Sequence, residues 1–146
     1  MISVFADETA IVNLSFKSGN KKLYNFLTAG YNLIDDHKLF CFGFGIGREI
    51  NIGQSFFISP ELKWQFLYNG NWDHLNKMGK ISLNTNYRLS RSISIFAGPS
   101  FAAYISDQTT AVRGYQFPVP SDHYGTFNLW KNASGWIGWQ VGINLF

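Results

Sequence analysis

The residues able to do chemistry are few and scattered. Three histidines occur: His37 after Asp35-Asp36, His74 after Asp73, and His123 in Ser121-Asp122-His123. Adjacent Ser, Asp and His do not form a nucleophilic triad, because its members must converge from separate segments. A Ser–His pair for acyl chemistry would have to join Ser106 or Ser121 to His123, and each histidine reads first as a solvated loop residue. Cys41 is the single cysteine, which excludes an intramolecular disulfide and a multi-cysteine metal site. Lying between Phe40 and Phe42, it reads as a small buried residue. No catalytic residue, metal or cofactor is expected. Four charged residues are more informative: Glu61, Lys63, Lys80 and Arg88 fall in phase on the polar side of two neighbouring segments.

Those segments belong to a chain dominated by period-two alternation, the signature of half-buried strands. Over 40–47, Phe40, Phe42, Phe44 and Ile46 oppose Cys41, Gly43, Gly45 and Gly47. Over 56–68, Phe56, Ile58, Pro60, Leu62, Trp64, Phe66 and Tyr68 oppose Phe57, Ser59, Glu61, Lys63, Gln65 and Leu67. The pattern recurs over 80–89, 92–106 and 137–145, and more weakly over 10–17 (Ala10, Val12, Leu14 and Phe16 outside) and 23–33. The apolar faces carry no charge. The opposite faces are mostly Gly, Ser, Asn and Gln, a poor exterior for a soluble barrel and a good narrow lumen. Pro60 and Pro99 cannot donate to a ladder, so bulges or local breaks are expected there.

Composition agrees with lipid on the bulky side. Charged residues are 14% and aromatics 18%, against roughly 25% charge in soluble domains. Mean hydropathy is −0.06, and no run approaches the ~20 apolar residues of a membrane helix. Segments of about 10 to 15 residues are long enough to cross a bilayer as tilted strands. The net charge is +3, but basic residues are dispersed and Lys21-Lys22 is the one adjacent pair. Nucleic-acid binding is therefore not expected.

The reading is an all-β chain with one domain, 1–146, folded as an antiparallel up-and-down transmembrane β-barrel of about eight strands, or a fragment of a larger one. Ser90-Arg91-Ser92 is the tightest connection and Asp107 to about Ser134 the longest, which puts them at opposite ends. Ser18-Gly19-Asn20 and Ile50 to Gly53 then join the short-turn end, and Asp35-Asp36 and Asn69 to Lys77 the long-loop end. Seven segments need one more, supplied by residues 1–5, by sequence upstream, or by Tyr124 to Lys131. Met1 to Ala6 is too short for a secretion signal and fits the tail of one, so an upstream portion is expected.

The ending Gly135-Trp-Ile-Gly-Trp-Gln-Val-Gly-Ile-Asn-Leu-Phe146 resembles the last strand of Gram-negative outer-membrane β-barrels. Phe57-Ile-Ser-Pro-Glu-Leu62 and Phe96-Ala-Gly-Pro-Ser100 resemble uncharacterised surface barrels of that class. The resemblance implies a bacterial outer-membrane location, outer-membrane lipid and the barrel-assembly machinery as partners, and Phe146 as assembly signal, although alternation here ends at Leu145. It is weak for activity, since one barrel shape serves many functions. A structural or surface-exposed, non-enzymatic role is expected. The alternatives are a small pore or transporter component and a soluble ligand-binding barrel. Glu61, Lys63, Lys80 and Arg88 are expected to fill the lumen as an ion-pair network rather than to form a pore constriction. Trp64, Tyr68, Trp72, Trp136 and Trp139 are expected to form an interfacial aromatic girdle. The loop Arg113 to Tyr124 could bind an extracellular partner.

Overall fold

A strand with an unpaired edge exposes a row of N–H and C=O groups, and a closed barrel removes that edge. The structure is a computed structural model that describes residues 1–10, 12–20, 22–32, 39–68, 76–105, 127–130 and 133–146. Its strands are β1 (Ile2–Asp7), β2 (Val12–Asn20), β3 (Leu23–Asn32), β4 (Leu39–Gly47), β5 (Ile50–Asn51), β6 (Phe56–Tyr68), β7 (Asn76–Arg88), β8 (Ile93–Ile105), β9 (Phe127–Trp130) and β10 (Ala133–Leu145). Antiparallel neighbours run β1-β2-β3-β4-β6-β7-β8-β10, and β10 pairs back onto β1 from Ile2↔Leu145 to Asp7↔Gln140. The fold is a closed, eight-stranded, up-and-down β-barrel. β5 continues the place of β4 beside β6, and β9 adds to the flank of β10 above β1.

The register fixes the shape. One row of paired residues passes from Ser3 through Ser15, Thr28, Gly43, Gln65, Met78 and Tyr104 to Ser134. Ser3 itself pairs with Asn144, so the circuit closes between 134 and 144 with a shear of 10 residues. Eight strands with that shear tilt by about 40° and enclose a backbone radius of roughly 8 Å. Such an interior is filled by side chains.

Turns between β2 and β3, β5 and β6, and β7 and β8 share one end with Met1 and Phe146, here called lower. The connections after β3, β6 and β8 belong to the upper end. This partition is the one expected from connection lengths. The lower β7–β8 turn is tight, with Leu89 N and Ser90 N both donating to Ile93 O at 3.0 and 3.1 Å.

Alternation placed the side chains correctly on most strands, since its two faces are the outside and the lumen. Ala10 is a correction: it is buried rather than outward, because β2 begins at Val12 and Ala10 belongs to a turn folded into the barrel. The eighth strand is β1, so residues near 1–5 close the circuit. Phe127–Trp130, from the rival segment, forms β9 outside that circuit. Strand β7 starts at Asn76, earlier than the alternation over 80–89, because Asn76 and Met78 continue its inward phase. Strands β6 and β8 run on through their prolines while the neighbours adapt. The gap between β4 and β5 lies beside Pro60, whose carbonyl accepts from Arg48 N at 3.2 Å. The β7–β8 ladder skips from Ser82↔Ser100 to Thr85↔Ala97 around Pro99 without changing register.

Candidate functional site

The lumen is built in three layers. In the lowest, Ser3 Oγ donates to Asn144 Oδ1 (2.6 Å), and Asn144 Nδ2 donates to Asn86 Oδ1 (3.0 Å) and Ser94 Oγ (3.1 Å). Gln140 Nε2 joins Ser82 Oγ (3.1 Å) to Asn84 Oδ1 (2.7 Å), and Asn84 Nδ2 reaches Glu61 Oε2 at 3.4 Å. Glu61 Oε1 also accepts from Lys17 Nζ (2.6 Å) and Tyr24 OH (2.7 Å). The Lys17 ammonium lies over the Tyr24, Phe96 and Phe26 rings at 5.2, 5.7 and 5.9 Å. A buried ammonium must be paired with an opposite charge, and the rings add a cation–π attraction.

The middle layer solves a like-charge problem. Lys63 and Lys80 are directly paired across β6 and β7, an arrangement that is repulsive unless an anion intervenes. Asp7 provides it, with Oδ2 at 2.8 Å from Lys80 Nζ and 3.5 Å from Lys63 Nζ. Its other oxygen accepts from Thr9 N (3.0 Å) and Ala10 N (2.8 Å), which shapes the β1–β2 turn. That turn stops short of the upper end because β1 has 6 residues where β10 has 13. Glu8 then covers the β10 edge that β1 leaves. Its carboxylate accepts from Trp139 N (3.0 Å) and Ser100 Oγ (3.2 Å) and pairs with Lys80 Nζ (2.7 Å). Gly138 leaves room here: a Cβ would meet the Glu8 carboxylate, which would have to shift.

The upper layer is apolar: Ala10, Cys41, Leu67, Met78, Ala102, Tyr104 and Trp136 pack together. Cys41 is buried as expected, its Sγ 3.9 Å from Asn13 Oδ1. Comparison with protein-family models, with curated proteins and with solved structures found no match for the chain. Function has to be read from the geometry alone.

Glu61, Lys63 and Lys80 all point into the lumen, where each finds an opposite charge. Arg88 is a correction. It stands apart at the lower rim, 3.8 Å from Glu49 and over the Phe57 ring at 4.9 Å, because one further step of alternation beyond Asn86 carries it past the last lumen layer. Trp136 is a second correction: it is 0% exposed and packs in the upper layer, so it belongs to no outer girdle. Trp139 and Trp64 face outward, 50% and 37% exposed, but Trp139 is the middle residue of β10, far from either rim. Tyr68 is half-buried at the upper end of β6. Trp72, His37, His74, Ser106, Ser121, His123 and the loop Arg113 to Tyr124 lie outside the described residues. Phe146 is exposed, its N–H donating to Ser92 O at 2.9 Å.

Asp7, Glu8, Lys17 and Tyr24 were missing from the sequence-based cluster. The signal for Asp7 was present, since Ser3, Phe5 and Asp7 alternate with Ile2, Val4 and Ala6. Glu8 carried none, because it acts from a turn that only the closed barrel brings inward. Among the described residues no group of His, Cys, Asp and Glu could hold a metal ion.

Proposed function

We propose that this chain is a bacterial outer-membrane β-barrel with a closed lumen, serving a structural or surface-exposed, non-enzymatic role. The observation that carries this is an inverted distribution of side chains. Large apolar residues are exposed on every barrel strand, from Ile2 and Val4 on β1 to Ile143 and Leu145 on β10, while Lys17, Glu61, Lys63, Lys80 and Asp7 are buried. Soluble monomers expose apolar patches of a few hundred Å² at most; a lipid-facing barrel needs an apolar band about 25 Å tall. Thirteen-residue strands tilted as derived rise roughly 30 Å, enough for that band. Among the described residues Lys77, near the upper end of β7, is the one charged side chain in outward phase within a barrel strand.

A soluble ligand-binding barrel would carry the reverse distribution. A pore is disfavoured by the lumen itself, whose Lys17, Lys63 and Lys80 balance Asp7, Glu8 and Glu61 in a bonded network under an apolar layer. Membrane lipid and the assembly machinery, with Phe146 as its signal, remain part of the proposal, as does an interfacial place for Tyr68. Expressed with a secretion signal, the protein should stay with urea-washed membranes, migrate faster unboiled than boiled, and leave planar bilayers silent. Recovery as a detergent-free soluble monomer would sink the membrane reading; stepwise conductance would replace the plug with a pore.

A further inference from the structure

Because the lumen's charges cancel, the net charge of +3 resides outside the lumen. It is distributed unevenly. Lys22, Arg48 and Arg91 are exposed at the lower end and Arg88 is half-exposed there, against Glu49 as the one described carboxylate at that rim. Asp35, Asp36, Asp73, Asp107 and Asp122 all fall in the sequence of the opposite connections, against Lys38, Arg113 and Lys131. The lower rim is a basic collar set at the edge of the outer apolar band.

Within this collar a cavity of about 450 Å³ opens between the β5–β6 and β7–β8 turns, lined by Ser55, Arg88, Leu89, Ser90, Arg91 and Phe146. Arg88 is held in place by the Phe57 ring and by Glu49 at 3.8 Å, a separation that leaves guanidinium N–H groups for another acceptor. Arg91 makes no ion pair among the described residues. Ser90 Oγ accepts from Ser92 N at 3.2 Å and keeps its own proton to donate. Leu89 and Phe146, which line the cavity, are exposed, as are Ile52 and Ile93 at the same end.

The geometry points to a phosphodiester-binding site at the lower rim that takes the headgroup of an anionic phospholipid, with acyl chain against Leu89 and Phe146. Guanidinium groups match phosphate oxygens in paired hydrogen bonds, and basic residues at a membrane surface attract anionic headgroups. A free phosphate would satisfy the arginines but leave the two apolar side chains unused. The inference rests on the membrane reading above and adds its lipid partner and the leaflet side of the termini.

The test is retention of phosphatidylglycerol against phosphatidylcholine on the detergent-extracted protein, followed by native mass spectrometry. Phosphatidylglycerol should be retained preferentially, and Arg88→Gln and Arg91→Gln should each weaken it roughly five-fold, the double variant losing the preference. Arg48→Gln, outside the cavity, should retain it, and unboiled gel mobility should show that every variant folds. Equal retention of both lipids, or a double variant that behaves like the parent, overturns the site. Release of the lipid by excess inorganic phosphate would assign the cavity to a free anion and also overturn it. Failure of the membrane reading is seen separately, as a protein that never requires detergent.

Discussion

Lys80 is surrounded by the most demanding electrostatics in the molecule, fully buried between Asp7 and Glu8 and opposite Lys63. Removing one partner of a buried pair costs more than the pair contributes, since an uncompensated charge stays behind. Lys80→Met leaves two carboxylates short of a cation and should lower the unfolding free energy by about 3–5 kcal/mol. Lys63→Met should cost clearly less, because Lys63 meets Asp7 only at 3.5 Å and its loss also relieves the lysine–lysine opposition. Urea titrations of both variants in micelles read the difference; a reversed order would mean that the carboxylates serve Lys63 instead. Glu8 shows another use of charge at this scale. Where β1 stops, its carboxylate replaces the missing strand by accepting from Trp139 N.

Among elements, legibility followed from how local the cause was. Alternation is written residue by residue, so the faces of β4, β6, β7, β8 and β10 were readable, as were the buried state of Cys41 and the lumen position of Glu61, Lys63 and Lys80. The two prolines were readable as points of strain, although the adjustment falls on the neighbouring strands. Closure is not local. The role of β1 depends on its register with β10, from Ile2↔Leu145 to Asp7↔Gln140, and a six-residue strand looks like a stub until that edge is seen. The same closure brings Glu8 inside, whereas Asp7 and Trp136 are turned inward by the phase of their own strands, Trp136 in step with Gln140 and Asn144. Aromatic type suggested a girdle; phase and height along the strand decided otherwise. Ile81 provides the test at this scale, exposed in the middle part of β7. Ile81→Arg should destabilise the barrel in lipid by about 2–4 kcal/mol, read from unfolding in vesicles. No penalty in lipid would place β7's outer face in water.

For the whole molecule, shear, layering and charge describe one design. A circuit of eight strands with a shear of 10 residues leaves a bore that side chains can fill, and this sequence fills it with a neutral polar network under an apolar cap. The outward apolar surface is then unaccounted for by any internal packing. The central claim is that this surface meets lipid, and tryptophan fluorescence tests it most directly. The chain has 5 tryptophans, so variants retaining one, with Phe at the rest, can be folded into vesicles whose acyl chains carry bromine quenchers. Trp139 alone should be strongly quenched, as it faces outward at the middle of β10, whereas Trp136 alone, three residues away and pointing into the lumen, should be almost unaffected. Equal protection of both, or quenching of Trp136 with Trp139 spared, would contradict the lipid-facing exterior.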